Sequence, residues 1–192
     1  MIVRQGFEPR DRDSLARLYW AAFGGKLGRV LGPERHALAF VARVANPERA
    51  LCVHEGGRLV GVAGFHAGGL ALVGGGMSDL AAVYGRAGAL WRGAALTVLE
   101  RPQARGDLLV DGIFVADSHR GRGVGSALIE ALAREALSRG LDRVRLDVTH
   151  ENPRARALYE RRGFVPVAQQ SGRLLPWLFG FSGAVTMVRQ VR

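Results

Sequence analysis

The stretch from residue 108 to 138 constrains this chain most. Leu108-Leu-Val-Asp-Gly-Ile-Phe-Val115 is a dense apolar run with one acid, Asp111, inside it. Ala116-Asp-Ser-His119 and Arg120-Gly-Arg-Gly-Val-Gly125 follow. From there Val124, Leu128, Leu132 and Ala136 recur every fourth residue, with Ile129 and Leu137 alongside and Gly140 as the stop. The spacing predicts a strand that passes through a glycine-rich turn into an amphipathic helix over 124–138. Backbone N–H groups converge at such a helix start and its dipole favours negative charge, so the turn is a candidate phosphate site. Glycines there let phosphate oxygens approach the backbone. A tight connection without a ligand fits the same residues. The turn lacks the Gly-Lys-Ser/Thr of a nucleotide-hydrolysing loop, and Gly121-Arg-Gly-Val-Gly125 does not have the dinucleotide spacing.

Around this unit the chain reads as alternating short strands and helices. Ile2–Gln5 is a strand. A helix introduced by Asp11 and Asp13 carries Leu15, Leu18, Tyr19, Ala22 and Phe23, and Gly24-Gly25 is expected to end it. A second helix runs from Pro33-Glu34 to about Val44, where Asn46-Pro47 breaks it. Ala50–His54 and Arg58–Phe65 form a hairpin across Glu55-Gly-Gly57. A helix is expected over about 79–99. Arg143–Thr149 alternates cleanly as a strand, Pro153–Arg162 is a short helix closed by Gly163, and Phe164–Val167 and Ala184–Val191 are the last strands. No repeat or linker divides the sequence, so 1–192 is expected to be one domain with a helical insertion at about 79–99.

Composition narrows the classes. With 48% hydrophobic and 23% charged residues, wholesale disorder is excluded. Cys52 is the only cysteine, which argues for a reducing cytoplasm and against a disulfide scaffold or a cysteine-based zinc site; no His/Cys/Asp/Glu spacing suggests a metal. The uncharged run from Leu59 to Ser78 is broken by glycines and His66 and reads as a strand and loop, not a membrane span. The net charge is +10, but every basic residue except Lys26 is arginine and they are scattered from Arg4 to Arg192. A nucleic-acid binder gathers basic residues on one stripe. No nucleic-acid or membrane partner is expected, and a homodimer is possible.

Two motifs in register carry a resemblance. Arg120-x-x-Gly123-x-Gly125 after a Phe-Val strand is similar to the coenzyme A pyrophosphate loop of the GNAT superfamily of N-acetyltransferases. Asn152-Pro-Arg-Ala-Arg-Ala-Leu-Tyr159-Glu-Arg-Arg-Gly163-Phe164 resembles that superfamily's second motif. The strand at 143–149 between them and the order of the N-terminal elements extend the resemblance over nearly the whole chain.

The resemblance implies an α/β (α+β) fold: a mixed, mostly antiparallel sheet splayed between its fourth and fifth strands and flanked by helices. It implies acetyl-CoA as cosubstrate in that opening. Backbone groups of Phe114 and Val115 would meet the pantetheine arm and thioester carbonyl. The Arg120, Gly121, Arg122, Gly123, Val124 and Gly125 loop would take the pyrophosphate, and Asn152 would reach the coenzyme arm. Arg120, Arg122, Arg154 and Arg156 would steer the polyanion. The implied reaction is direct acetyl transfer, in a ternary complex, to a primary amine of a small molecule or peptide. A noncatalytic acetyl-CoA-binding regulatory module is the alternative.

A protonated amine needs a base or a water relay, and the departing thiolate an acid. Asp147 and Asp111 are candidate bases, or carboxylates on a solvated face or paired with arginine. Tyr159 is the candidate acid, or an aromatic packed beneath the sheet. His66 and His119 are expected at the surface or in loops. Residues 24–33, the 79–99 helix and residues 172–183, with the apolar Leu174, Leu175, Trp177, Leu178, Phe179 and Phe181, are expected to shape the acceptor pocket. The acceptor's identity, the general base and the acyl-chain preference stay open.

Overall fold

Among the described residues seven strands form one sheet, in the order β1-β2-β3-β4-β5-β7-β6. The computed structural model describes residues 1–98, 106–171 and 180–192. In chain order the elements are β1 (Val3–Gln5), α1 (Arg12–Leu31), α2 (Glu34–Val44), β2 (Ala50–Glu55), β3 (Arg58–His66), α3 (Met77–Thr97), β4 (Asp107–Val115), α4 (Val124–Ser138), β5 (Arg143–Thr149), α5 (Pro153–Arg161), β6 (Val165–Ser171) and β7 (Gly183–Gln190). All neighbours pair antiparallel except β4 and β5, which run parallel. That one pair is also the weak seam. It is matched only at Asp107–Arg143, Leu108–Val144 and Leu109–Arg145. Beyond Leu109 both strands continue without pairing to each other, β4 held by β3 and β5 by β7. The sheet therefore forks, as expected.

Strand alternation separates two apolar clusters, one on each face. Val144, Leu146 and Val148 of β5 turn to the face covered by α4, where Leu128, Ile129, Leu132 and Ala136 are buried. α5 adds Tyr159 to this cluster. Each fully buried Leu or Ile contributes about 1.5–3 kcal/mol over its exposed state. The start of α4 approaches β3 closely because Gly61 lacks a side chain: a Cβ there would lie 2.6 Å from Val124 Cγ1. On the other face α1, α2 and α3 cover β2, β3 and the Phe114 end of β4 with Leu15, Val30, Leu31, Phe40 and Leu80.

Two helices differ from expectation. Gly24-Gly25 does not end α1, which runs on to Leu31. Glycine in a helix costs up to about 1 kcal/mol each, and here the burial of Leu27, Val30 and Leu31 in the following turns offsets it. The 79–99 helix begins at Met77 and is kinked at Gly85, whose φ of 72° and ψ of 167° leave the helical region. It sits on the end of α1: the Tyr84 hydroxyl donates to the Leu31 carbonyl at 2.6 Å, and the Arg92 guanidinium stacks 4.0 Å from the Tyr84 ring centre. Elsewhere the strand and helix limits lie within a few residues of expectation, the largest shift being β6, which runs on to Ser171. No helix among the described residues is long and apolar enough to cross a membrane.

Candidate active site

The fork has two sides. On the α4 side, Gly121 and Gly123 adopt left-handed backbone with φ of 77° and 84°. Gly123 caps α4, and the first intrahelical bond is donated by Ala127 N–H to the Gly123 carbonyl at 3.0 Å. The N–H groups of Val124, Gly125 and Ser126 precede it and have no intrahelical acceptor. The first turn of α4 carries no acid and no side-chain cap, so nothing in the helix competes with an incoming anion. The residues fit a pyrophosphate. Gly125 has a different role: a Cβ there would lie 3.2 Å from Leu158 Cδ2, so it lets α4 and α5 pack.

The arginines expected to steer the coenzyme have acidic neighbours. Arg120 pairs with Asp117 at 2.7 Å and Arg156 with Glu160 at 2.9 Å, while Arg122 lies 3.7 Å from Glu55. His119 precedes the loop, as expected, but is tethered: its Nε2 lies 2.6 Å from Glu55 Oε2. Asn152 Oδ1 accepts the Ala155 N–H at 3.2 Å and so caps α5; its amide nitrogen stays available as a donor.

On the other side of the sheet, against α1–α3, lies a cavity of about 810 Å³. Its lining includes Tyr19, Lys26 and Leu27 of α1, Leu96 of α3, His66, Asp111 and Asp147. Asp111 owes its position to an irregularity. Gly64 faces Gly112 but Phe65 faces Val110, so β4 carries Asp111 as one extra residue, a β-bulge beside the fork. Asp111 Oδ2 accepts the Leu72 N–H at 2.6 Å, and Oδ1 meets His66 Nε2. This hydrogen bond raises the His66 imidazole above its ordinary 6.5, against the effect of burial. Asp147 accepts from the Thr186 hydroxyl at 2.5 Å across the β5–β7 pair.

Burial lowers the Lys26 amine, and the Glu151 carboxylate opposes it. Glu151 itself is held down to about 2, first by accepting the Ser182 N–H at 2.9 Å. Burial, then the nearby Asp111 charge, raises the Tyr19 phenol.

Of the three expected catalytic residues, Asp111 and Asp147 meet in the cavity and Tyr159 does not. Tyr159 is buried in the α4-side cluster with its ring centre 5.8 Å from that of Phe164, and burial pushes its phenol up to about 12. His66, placed by expectation at the surface or in a loop, lines the cavity. Lys26, Leu27 and Leu31, within the 24–33 region expected to shape the acceptor pocket, line the cavity, although the sequence assigns no role to Lys26 itself. Phe181 lines the cavity, whereas Leu174, Leu175, Trp177, Leu178 and Phe179 lie outside the described residues. Among the described residues no group of three or more His, Cys, Asp or Glu could hold a metal ion.

A family model described as the acetyltransferase (GNAT) family matches residues 12–164, which contain both sides of the fork. The chain belongs to the GNAT acetyltransferase family. Within it, a mycothiol acetyltransferase of Beutenbergia cavernae is 49% identical over 65 residues, 34% of this chain and 21% of that protein. A thialysine N-epsilon-acetyltransferase of Bos taurus is 33% identical over 66 residues, 34% of this chain and 39% of that protein. The matches thus span well under half the length of these GNAT relatives. A crystal structure of an acetyltransferase is similar over 100% of both chains with a TM-score of 0.68 at 20% identity. A ribosomal-protein-alanine N-acetyltransferase from Brucella melitensis is similar over 99% of each chain with a TM-score of 0.63 at 16% identity. Likeness at such identities shows that the GNAT fold is shared.

Proposed function

We propose that the chain is an acetyl-CoA-dependent N-acetyltransferase acting as one domain, with the coenzyme and the amine meeting at the fork between β4 and β5. The observation that carries this reading is the opening of that seam beyond Leu109 and Arg145, with an anion-ready helix start on one side and an ionisable cavity on the other. The N–H groups from Arg122 to Gly125 hold the pyrophosphate, and the donors at the helix start need no rearrangement to do so. Backbone groups of Phe114 and Val115 align the arm and the thioester carbonyl. The Asn152 amide, fixed by its capping bond, reaches the arm. Arg120 and Arg156 raise the local concentration of the polyanion.

The acceptor is a primary amine, on a small molecule or a peptide; the names of the bovine and Brucella relatives cover both kinds. It enters the cavity and attacks the thioester directly. The cavity carboxylates Asp111 and Asp147 favour a cationic group at its mouth, and the proton of the amine leaves on this ionisable side of the seam. Tyr159, on the opposite side of the seam, protonates the departing sulfur. Its burial is the one observation that favours the second reading, a noncatalytic acetyl-CoA-binding module. A reducing cytoplasm is the compartment we propose; the single cysteine, Cys52, buried and free, supports it.

Mixing the protein with acetyl-CoA and a panel of amines and peptides tests the reading. Thiol release that depends on an acceptor, matched by an equal amount of acetylated amine, is expected. Coenzyme binding without thiol release establishes the noncatalytic module instead. A Tyr159→Phe variant that keeps the full rate removes the acid assignment alone.

A further inference from the structure

We propose that His66, held by Asp111, is the base that takes the proton from the incoming amine, an inference that rests on the acetyltransferase reading. His66 is the last residue of β3 and pairs with Leu109, the residue at which β4 stops pairing with β5. The imidazole therefore stands at the apex of the fork, in the cavity wall, with its side chain 36% exposed.

Asp111 is engaged through both oxygens, by the Leu72 N–H and by His66 Nε2. A carboxylate so occupied is better suited to orienting an imidazole than to receiving a proton itself. With Nε2 donating to Asp111, the neutral ring carries its lone pair on Nδ1. The bulge that creates Asp111 as an extra residue thus has a use: it brings the carboxylate onto the ring of the neighbouring strand.

The groups around the pair are Tyr19 and Lys26 from α1, Asp147 from β5, and Arg49, whose Nε donates to the carbonyl of Ala67 next to His66 at 3.1 Å. Asp111 strengthens the base by holding its charged form through their hydrogen bond. Proton balance is simple. The ammonium gives its first proton to His66 Nδ1, the nitrogen–carbon bond forms and the carbon–sulfur bond breaks. Tyr159 gives its phenolic proton to the thiolate, the second nitrogen proton restores the phenol through solvent, and Nδ1 returns its proton to solvent. Asp111 is then a positioning residue.

The test is a pH profile of kcat/KM, with acetyl-CoA and the best amine of the panel, for the wild type and for His66→Gln, Asp111→Asn and Asp147→Asn. An NMR titration of the His66 ring in the wild type and in Asp111→Asn accompanies it. The wild-type rate is expected to fall on the acid side at the His66 pKa read by NMR. His66→Gln is expected to lose about 100-fold or more and to lose that acid limb. Asp111→Asn is expected to keep turnover at high pH while its acid limb and its His66 pKa move down together. A His66→Gln rate within threefold of wild type with the limb intact overturns the proposal, as does a limb that vanishes only in Asp147→Asn. A wild type that acetylates no amine overturns the acetyltransferase reading and the base with it. Active wild type with unaffected His66→Gln overturns the base alone.

Discussion

The two faces of the sheet are built from the same strands and do opposite work. On the α4 face every second residue of β5 is apolar and buried, and α4 closes over it with Leu128, Leu132 and Ala136 at the period of the helix. On the opposite face the alternate residues of the same strand are Arg143, Arg145, Asp147 and Thr149, of which Asp147 and Thr149 line the cavity left beside α1–α3. The α4 face is packed along the whole of β5, whereas the α1 face has its own apolar core and, beside the fork, a cavity that holds ionisable side chains. The lesson is that the fork is sustained from one side and used from both.

Truncating a packed residue separates the faces most sharply. Leu128→Ala is expected to lower stability by about 2–5 kcal/mol, read by urea unfolding, and to leave the amine KM unchanged in the folded enzyme. Leu27→Ala, on the cavity wall, is expected to cost less than half as much and to raise the amine KM, because the space it leaves joins a cavity already present. Equal losses from the two would break the comparison.

Backbone strain comes next. No atom lies within 4 Å of a Cβ at Gly123, so Gly123→Ala tests conformation alone. It should cost about 1–2 kcal/mol in stability and weaken acetyl-CoA binding in calorimetry, whereas amine binding on the other face should not change. Asn152→Ala removes the cap on Ala155 N–H and should cost about 1 kcal/mol; a weaker coenzyme Kd beyond that loss would mark the arm contact. Smallest is Arg156→Ala, which breaks an exposed i,i+4 pair with Glu160 worth about 0.3–0.5 kcal/mol. Its coenzyme association rate should fall below that of the wild type at low salt, and the deficit should close at high salt, where screening removes the steering.

Acidity distinguishes the same two regions. The folded pKa of His66 lies above its ordinary value, so this pair contributes stability below about 6.5 that is lost as pH rises through the raised value. Glu151 has the reverse sign: its folded pKa of about 2 lies below its ordinary 4.5, so its contribution is present above 4.5 and is lost as pH falls toward 2.

The α4 face was the legible one. Its strand and helix limits, Val124–Ser138 and Arg143–Thr149, follow from periodicity, because a buried apolar stripe leaves its period in the sequence. The glycine turn was legible because its glycines stand between a strand pattern and a helix pattern; the left-handed backbone of Gly121 and Gly123 is what the structure adds. What the sequence hid depends on distant packing. The continuation of α1 through Gly24-Gly25 comes from Leu27, Val30 and Leu31 finding a core supplied in part by α2. His66 was hidden because its partner is 45 positions away and reaches it only through the bulge at Asp111. Tyr159 was expected by pattern, but the side of the seam on which it packs is set by α4 and Phe164.

The central claim is that acetyl-CoA occupies the fork. Hydrogen exchange with and without acetyl-CoA tests it most directly, because the amides on either side of the seam belong to separate peptides. The account predicts slowed exchange at Ile113–Val115 and Arg122–Ser126, with the amides of α3 unchanged. Protection confined to α1–α3, with none in the Arg122–Ser126 loop, would contradict it.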